Sequence, residues 1–295
     1  MPLLLTVFPI GYIIHQYEVG VTEHDTYSNH EMYVGDVVIP EVVTFEGVTY
    51  RVSEVCNNAF WGSTYLHSIS IPSTVSFIDY VGNTFQYCTH LESILVSPGN
   101  EAYCDLDGVL FSKDMSTLVA YPSGRTGHYD VPAGVQQIGV AAFYQRRGLI
   151  SVTLPESLNE IKVNAFTECN NMTTVTSRSP TPPQLAWSPN DIYVNVFGLT
   201  KPDTLRVPRV AIEAYRNAVE WNQFANILPI AGDYDITGDG IVDVADVNWV
   251  IDMMLHSSTP CPSPGGEGSP VDVNGDGVVD IADVNVIINA MLGKD

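Results

Sequence analysis

Basic residues are scarce in this chain. Only 12 lysines and arginines stand against 34 aspartates and glutamates in 295 residues, a formal net charge of −22. An acidic chain with no basic stripe lacks the electrostatic footprint of a nucleic-acid binder or of a protein held on an anionic membrane surface. Cysteine is sparse too. Cys56, Cys88, Cys104, Cys169 and Cys261 are dispersed, with no C-x-x-C spacing. An odd, scattered set argues against a disulfide framework and against zinc, and free thiols packed as small hydrophobes are expected. No apolar run is long enough to span a membrane. Leu3-Leu4-Leu5-Thr6-Val7-Phe8-Pro9-Ile10 is short, follows no basic residue and has no small-residue cleavage site. It reads as a first strand in a chain whose start is truncated or misassigned, not as a signal peptide. Motifs for a hydrolase nucleophile, a zinc helix or a phosphate loop are missing. The seven histidines are scattered, and His24-Asp25 and His30-Glu31 read as a solvated loop.

What is present is repetition, of two kinds. Hydrophobic residues make up 45% of the chain, enough for a sizeable core. In the first part, Ile138…Ala142-Phe143…Leu149…Val152-Thr153-Leu154-Pro155 is followed by Ile161…Ala165-Phe166…Met172…Val175, an offset of 23. Upstream, Val55…Ala59-Phe60…Leu66…Ile69-Ser70-Ile71-Pro72 matches Thr84-Phe85…Leu91…Ile94-Leu95-Val96-Ser97-Pro98 at an offset of 25. A period in the low twenties predicts a leucine-rich-repeat solenoid. Phenylalanines and leucines form its interior ladders, and short strands ended by proline form a parallel sheet. Residues 107–122 read as a hairpin about a Ser-Lys-Asp turn. Exposed aromatics such as Tyr65, Tyr80, Tyr87 and Tyr144 are candidates for a ligand face. After Ser177 the repeat degrades. Residues 204–208 read as a last strand, residues 211–224 as a helix carrying Ile212, Tyr215, Val219 and Trp221, and residues 227–230 as the closing segment of a terminal cap.

The second repetition is a loop written twice. Asp235-Ile236-Thr237-Gly238-Asp239-Gly240-Ile241-Val242-Asp243-Val244-Ala245-Asp246 returns 37 residues later as Asp272-Val273-Asn274-Gly275-Asp276-Gly277-Val278-Val279-Asp280-Ile281-Ala282-Asp283. Oxygen-bearing side chains stand at loop positions 1, 3, 5, 9 and 12, a glycine stands at 6, and position 7 (Ile241, Val278) offers its backbone carbonyl. That is the ligand pattern of an EF-hand calcium loop, with Asp in place of Glu at position 12. Each loop runs into a helix, Asp246–Leu255 with Val247, Ile251, Met254 and Leu255 on one face, and Asp283–Leu292 with Val284, Ile288, Met291 and Leu292. From loop start to the Met-Leu pair, 13 of 21 positions are identical. Two calcium ions are expected.

The motif I-x-x-x-A-F-x-x-C-x-x-L-x-x-(I/V)-x-(L/I)-P resembles the BspA-type leucine-rich repeat of bacterial surface proteins. Cys88 and Cys169 stand at its cysteine; Gly62-Ser63 and Arg146-Arg147 depart from it. The tandem loop-helix units resemble a dockerin, the small module that binds a cohesin domain in cellulosome-type assemblies. The linker of residues 256–270 is long for that family, and Cys261 within it has no assigned role. The resemblances imply an α+β chain: N-terminal strands or cap at 1–50, repeats at 51–178, a C-terminal cap at 179–231 and an all-α dockerin-like domain at 232–295. They imply a secreted or cell-surface interaction or adhesion protein that is not an enzyme and that is tethered to a cohesin-type partner. In dockerins the residues just before the last loop ligand help to recognise cohesin; here these are Val244, Ala245, Ile281 and Ala282, with Trp249 as a further contact. A host protein or a glycan on the solenoid face is the expected second ligand. The alternative is a carbohydrate-active accessory protein or an enzyme component of a polysaccharide-degrading assembly. A tail that docks onto its own chain is the other reading of the dockerin-like units.

Overall fold

The period of the first part arises because each turn brings one aromatic ring onto the ring before it. In a computed structural model of the protein, residues 4–7, 10–15, 18–22, 33–79, 81–186, 196–198, 201–230, 232–237, 241–256, 271–276 and 278–294 are described. They fall into two units, Met1–Met172 with Pro183–Lys201, and Thr173–Pro182 with Pro202–Asp295. In the first unit the Phe60 and Phe85 rings lie 5.9 Å apart at 9°, and Phe143 and Phe166 lie 4.8 Å apart at 14°. All four are buried, as are Leu66, Leu91, Leu149 and Met172. Burying one such ring is worth about 1.5–3 kcal/mol, and offset stacking adds to it. The ladder runs further than the spacing predicts. Tyr33 packs on Phe60 at 5.1 Å, Tyr121 on Phe143 at 5.0 Å, and Phe197 on Phe166 at 5.7 Å.

Short parallel strands flank each ring. Gly35–Val38, Leu66–Ile71 and Ser93–Val96 form one parallel set, with Val37, Ile69 and Ile94 in register and buried. Gly127–Asp130 and Leu149–Leu154 form another. The strands end where Pro72 and Pro155 follow, as expected. A second ladder lies at the isoleucine that opens each repeat: Thr117–Ala120, Gln137–Ile138, Glu160–Ile161 and Gln184–Leu185 pair in parallel. The turn between the two strands of a repeat uses left-handed backbone two residues before and two after the ring. Asn58, Ala141 and Asn164 have φ of 62°, 55° and 59°, and Gly62, Gln145 and Glu168 have 73°, 59° and 59°. The repeat that carries Phe85 differs before its ring, where the helical turn α1 (Val81–Thr84) stands.

Residues 107–122 form the expected hairpin, extended to a meander. Tyr103–Leu106, Val109–Ser112 and Thr117–Ala120 are antiparallel neighbours. Asp114 closes its turn. Donors from Ser112 Oγ, Ser116 N and Ser116 Oγ hold its carboxyl down to about 2. Asn100 fastens the meander to the repeat before it. Its Nδ2 donates to the Pro72 and Val75 carbonyls, both at 2.8 Å, and its Oδ1 accepts from Ala102 and Tyr103 N–H. The start of the chain is strand, with Leu4–Val7, Ile10–His15 and Glu18–Thr22 antiparallel.

In the second unit, Thr174–Ser177, Thr204–Val207 and Asn226–Pro229 are parallel strands, so residues 204–208 are not the last strand. The single helix expected over 211–224 is also corrected. It is a 3-10 turn (Arg209–Ala211), a short α2 (Ile212–Asn217) and a second 3-10 turn (Trp221–Gln223). Ala218 is extended and Glu220 has φ 70°, which turns the chain back so that buried Trp221 meets Tyr215 edge-on at 5.2 Å. Val219 is left exposed. Two further helices among the described residues are α3 (Val244–His256) and α4 (Ile281–Met291). Their buried faces are Val247 with Val250 and Val284 with Ile287, packed with Ile236, Val271 and Val273. Of the expected faces only Val247 and Val284 are buried, and the rest is corrected. Ile251, Leu255, Ile288, Met291 and Leu292 are exposed, and Met254 is half-buried. Both helices are apolar almost all round, so their period does not fix which face turns inward. No described helix is long and apolar enough to cross a membrane.

Candidate functional site

The twin loops share one hydrogen-bonded frame. In the first, Asp246 Oδ1 accepts from Ile236 N at 2.7 Å and Thr237 N at 2.8 Å, and Oδ2 accepts from Asp243 N at 2.9 Å. In the second, Asp283 Oδ1 accepts from Val273 N at 2.6 Å and Asn274 N at 3.0 Å, and Oδ2 accepts from Asp280 N at 2.8 Å. Both position-12 carboxylates are fully buried. Position 9 caps the helix that follows: Asp280 accepts from Ala282 N, and with Asp283 it forms a capping box. Asp243 accepts from Ala245 N in the same way at 2.6 Å. Burial pushes Asp246 up, but the N–H donors of Asp243, Thr237 and Ile236 outweigh it and hold its carboxyl below the ordinary range.

Further turns order the rims. Asp272 Oδ1 accepts from Gly275 N, Asn274 Oδ1 from Asp276 N, and Asp276 Oδ1 from Val278 N, all at 2.8–2.9 Å. In the first loop Thr237 Oγ1 donates to Asp235 at 3.4 Å. Asp239 lies outside the described residues. Among the described residues no three acidic, histidine or cysteine side chains form an ion-binding cluster. The donor chemistry nevertheless fits a hard divalent cation: every predicted side-chain ligand offers oxygen, and Ile241 and Val278, both exposed, have carbonyls to add.

Val244, Ala245, Trp249 and Ile281 are exposed and Ala282 is half-buried. With Ile251, Leu255, Ile288 and Leu292 they leave much apolar area on this small element exposed to water. Arg209 is the residue near this site that pattern reasoning missed. It is 6% exposed, and it donates from Nε to the Asp233 carbonyl at 3.2 Å and from Nη1 to the Asp272 carbonyl at 3.1 Å. Burial pushes its pKa down, against the pull of Asp233, Asp272 and Asp283.

Among the described residues the first unit carries two exposed aromatic pairs. Trp61 meets Tyr87 edge-on at 5.6 Å, and Tyr65 stacks on His90 at 5.6 Å. Of the other tyrosines expected on a ligand face, Tyr144 is hydrogen-bonded to Glu168 and Tyr80 lies outside the described residues. On the strand face, Ser151 and His128 Nδ1 are hydrogen-bonded at 2.7 Å, and His128 Nε2 stands 3.2 Å from Asp130. These are the residue types of a hydrolase triad. Here the Nε2 also faces Thr153 at 3.3 Å, and the imidazole is 47% and the carboxylate 66% exposed, where water competes for each bond. The arrangement is a polar surface ladder.

The aromatic steps, the paired strands and the buried thiols of Cys88 and Cys169 recur at the spacing of the sequence motif. Residues 43–108 and 121–183 match the family described as BspA type Leucine rich repeat region, in six copies. Those two stretches are thus similar to BspA-type leucine-rich repeats. Similar solved structures include a leucine-rich repeat protein from Bacteroides ovatus at 22% identity, covering 68% of this chain and 55% of that one with a TM-score of 0.39. One from Eubacterium ventriosum is 19% identical, covering 66% and 55% with a TM-score of 0.40. A leucine rich cell surface protein from Faecalibacterium prausnitzii is 16% identical, covering 78% and 95% with a TM-score of 0.36. This chain thus spans about half of the B. ovatus and E. ventriosum proteins. No curated protein matches the chain.

Proposed function

We propose that this protein is a secreted or cell-surface bacterial interaction module, in which the leucine-rich repeats present a binding face and the C-terminal units form a calcium-dependent dockerin-like tether for a cohesin-type partner. The observation that carries the reading is the duplicated frame: two loops capped by the same Asp pair, each followed by a helix with exposed apolar residues. Asp235, Thr237, Asp239, Asp243 and Asp246 would hold one ion with the Ile241 carbonyl. Asp272, Asn274, Asp276, Asp280 and Asp283 would hold the other with the Val278 carbonyl. Bound calcium supplies positive charge to eight crowded aspartates, whose mutual repulsion otherwise opposes loop closure. Val244-Ala245 and Ile281-Ala282 then meet the partner, with Trp249 as an aromatic anchor. The test is calorimetry of the full chain against a cohesin domain, in calcium and in chelator. Binding in calcium alone supports the reading, and equal binding in chelator contradicts it.

A second reading has its own observation. The exposed pairs Trp61–Tyr87 and Tyr65–His90 present flat rings of the kind that stack on sugars. They favour an accessory protein of a polysaccharide-degrading assembly whose repeats bind glycan directly. A glycan-array screen beside a reducing-sugar release assay separates binding from catalysis; the expected result is binding without sugar release.

A further inference from the structure

Arg209 follows strand Thr204–Val207 and Pro208, in the segment that the sequence suggests as the cap. It is a buried cation in a chain with only 12 bases. Its own N–H donates to Asp233 Oδ2 at 2.6 Å, its Nε to the Asp233 carbonyl and its Nη1 to the Asp272 carbonyl. One planar fork thereby ties the residue that leads into the first loop to the first residue of the second loop. Asp272 is position 1 of that loop. Its neighbours Val271 and Val273 are buried in the same cluster as Val284 and Ile287 of α4. A guanidinium that spans two carbonyls fixes direction as well as distance, which a flexible ammonium does not.

We propose that Arg209 makes the cap the tail's partner within its own chain, gripping the second loop so that calcium loading of that loop and order in the cap are coupled. The inference rests on the calcium reading above. By linkage, an ion that orders Asp272 stabilises the cap that holds it, and the cap in turn raises the affinity of the second loop. The first loop is joined to Arg209 through Asp233, which precedes its ligands, and is affected less.

The experiment uses the full chain. Calcium uptake is followed by calorimetry, and hydrogen exchange is followed in peptides covering residues 204–217, 235–246 and 272–283, with and without calcium. In the unaltered chain two ions bind, and exchange in 204–217 slows on loading. In Arg209→Met two ions still bind, the second loop about tenfold more weakly, the first weakened much less, and residues 204–217 no longer respond. Arg209→Lys keeps the charge but cannot span both carbonyls, and behaves as Arg209→Met. With Asp272→Ala already present, adding Arg209→Met weakens the remaining ion by much less than tenfold. Two ions bound with no change in 204–217 in the unaltered chain would overturn the coupling and leave the calcium reading intact. Full rescue by lysine would overturn the two-carbonyl grip. Absence of any calcium uptake would overturn both readings together.

Discussion

Arg146 Nε donates to the main-chain carbonyl of Tyr121 at 2.5 Å, the bond that a cysteine makes in other repeats. Cys88 donates to the Phe60 carbonyl at 3.0 Å and Cys169 to the Phe143 carbonyl at 2.9 Å, each one repeat back along the chain. Tyr121 stands 22 residues before Phe143 and stacks on it, so it is the ladder ring of its own turn. The departure from the motif at Arg146 therefore keeps the donor while changing the side chain. Arg146 also donates from Nη1 to the Tyr144 carbonyl, and its Nη2 is buried with no partner among the described residues.

The thiols of this row should be inert. Burial pushes Cys88 and Cys169 each up to about 12 from an ordinary value of 9.0, and the thiolate is the reactive form. Iodoacetamide at pH 8.5 is expected to leave both unmodified in the folded protein and to modify both in guanidinium, as read by mass spectrometry. Because the unfolded thiols ionise first, their contribution to stability is complete below pH 9 and falls as pH rises toward 12. Arg146, pushed down to about 10 by burial, acts in the opposite sense above that pH. The midpoint of denaturant unfolding should therefore fall between pH 9 and 10.

Cutting a ladder ring should be costly. Phe166 is stacked between Phe143 and Phe197. Phe166→Ala is expected to destabilise the repeat region by about 3–5 kcal/mol, seen as a drop of many degrees in the melting of the full chain. An unchanged melt would refute the ladder register.

Ala141 offers the reverse test. It is buried at φ 55°, in the slot that Asn58 and Asn164 fill elsewhere. Left-handed backbone costs an ordinary residue about 1–2 kcal/mol, and glycine removes that strain. Ala141→Gly should raise the unfolding free energy by up to about 1 kcal/mol, read as a higher denaturant midpoint, where an Ala→Gly change in ordinary backbone lowers it.

The repeats were legible because Phe60, Phe85, Phe143 and Phe166 combine one residue type with two similar offsets, 25 and 23. Tyr33, Tyr121 and Phe197 continue the ladder but were not legible: the meander, or a change of residue or spacing, separates them from the pattern. In the tail the loop ligands were legible as a motif, since oxygen-bearing residues at set positions leave few alternatives. The inward helix face was not, because Ile251 and Leu255 are as apolar as Val247 and Val250. Arg209 was invisible, since a lone arginine after a strand carries no pattern; only the fold brings Asp233 and Asp272 to it.

The near-identical halves should allow a partner to bind in two orientations related by a half-turn. Ala245→Asp or Ala282→Asp alone is expected to weaken cohesin binding modestly, and the pair to abolish it, by calorimetry in calcium. Full loss from one single change would show that only one half is used.

The most direct measurement is a calorimetric calcium titration of the full chain beside the Asp235→Ala, Asp272→Ala double variant, with helical circular dichroism followed in parallel. The account predicts two ions bound by the unaltered chain, helical signal lost in chelator, and neither uptake nor calcium-dependent signal in the double variant. Helicity that is the same in calcium and in chelator, with no ion taken up, would contradict it.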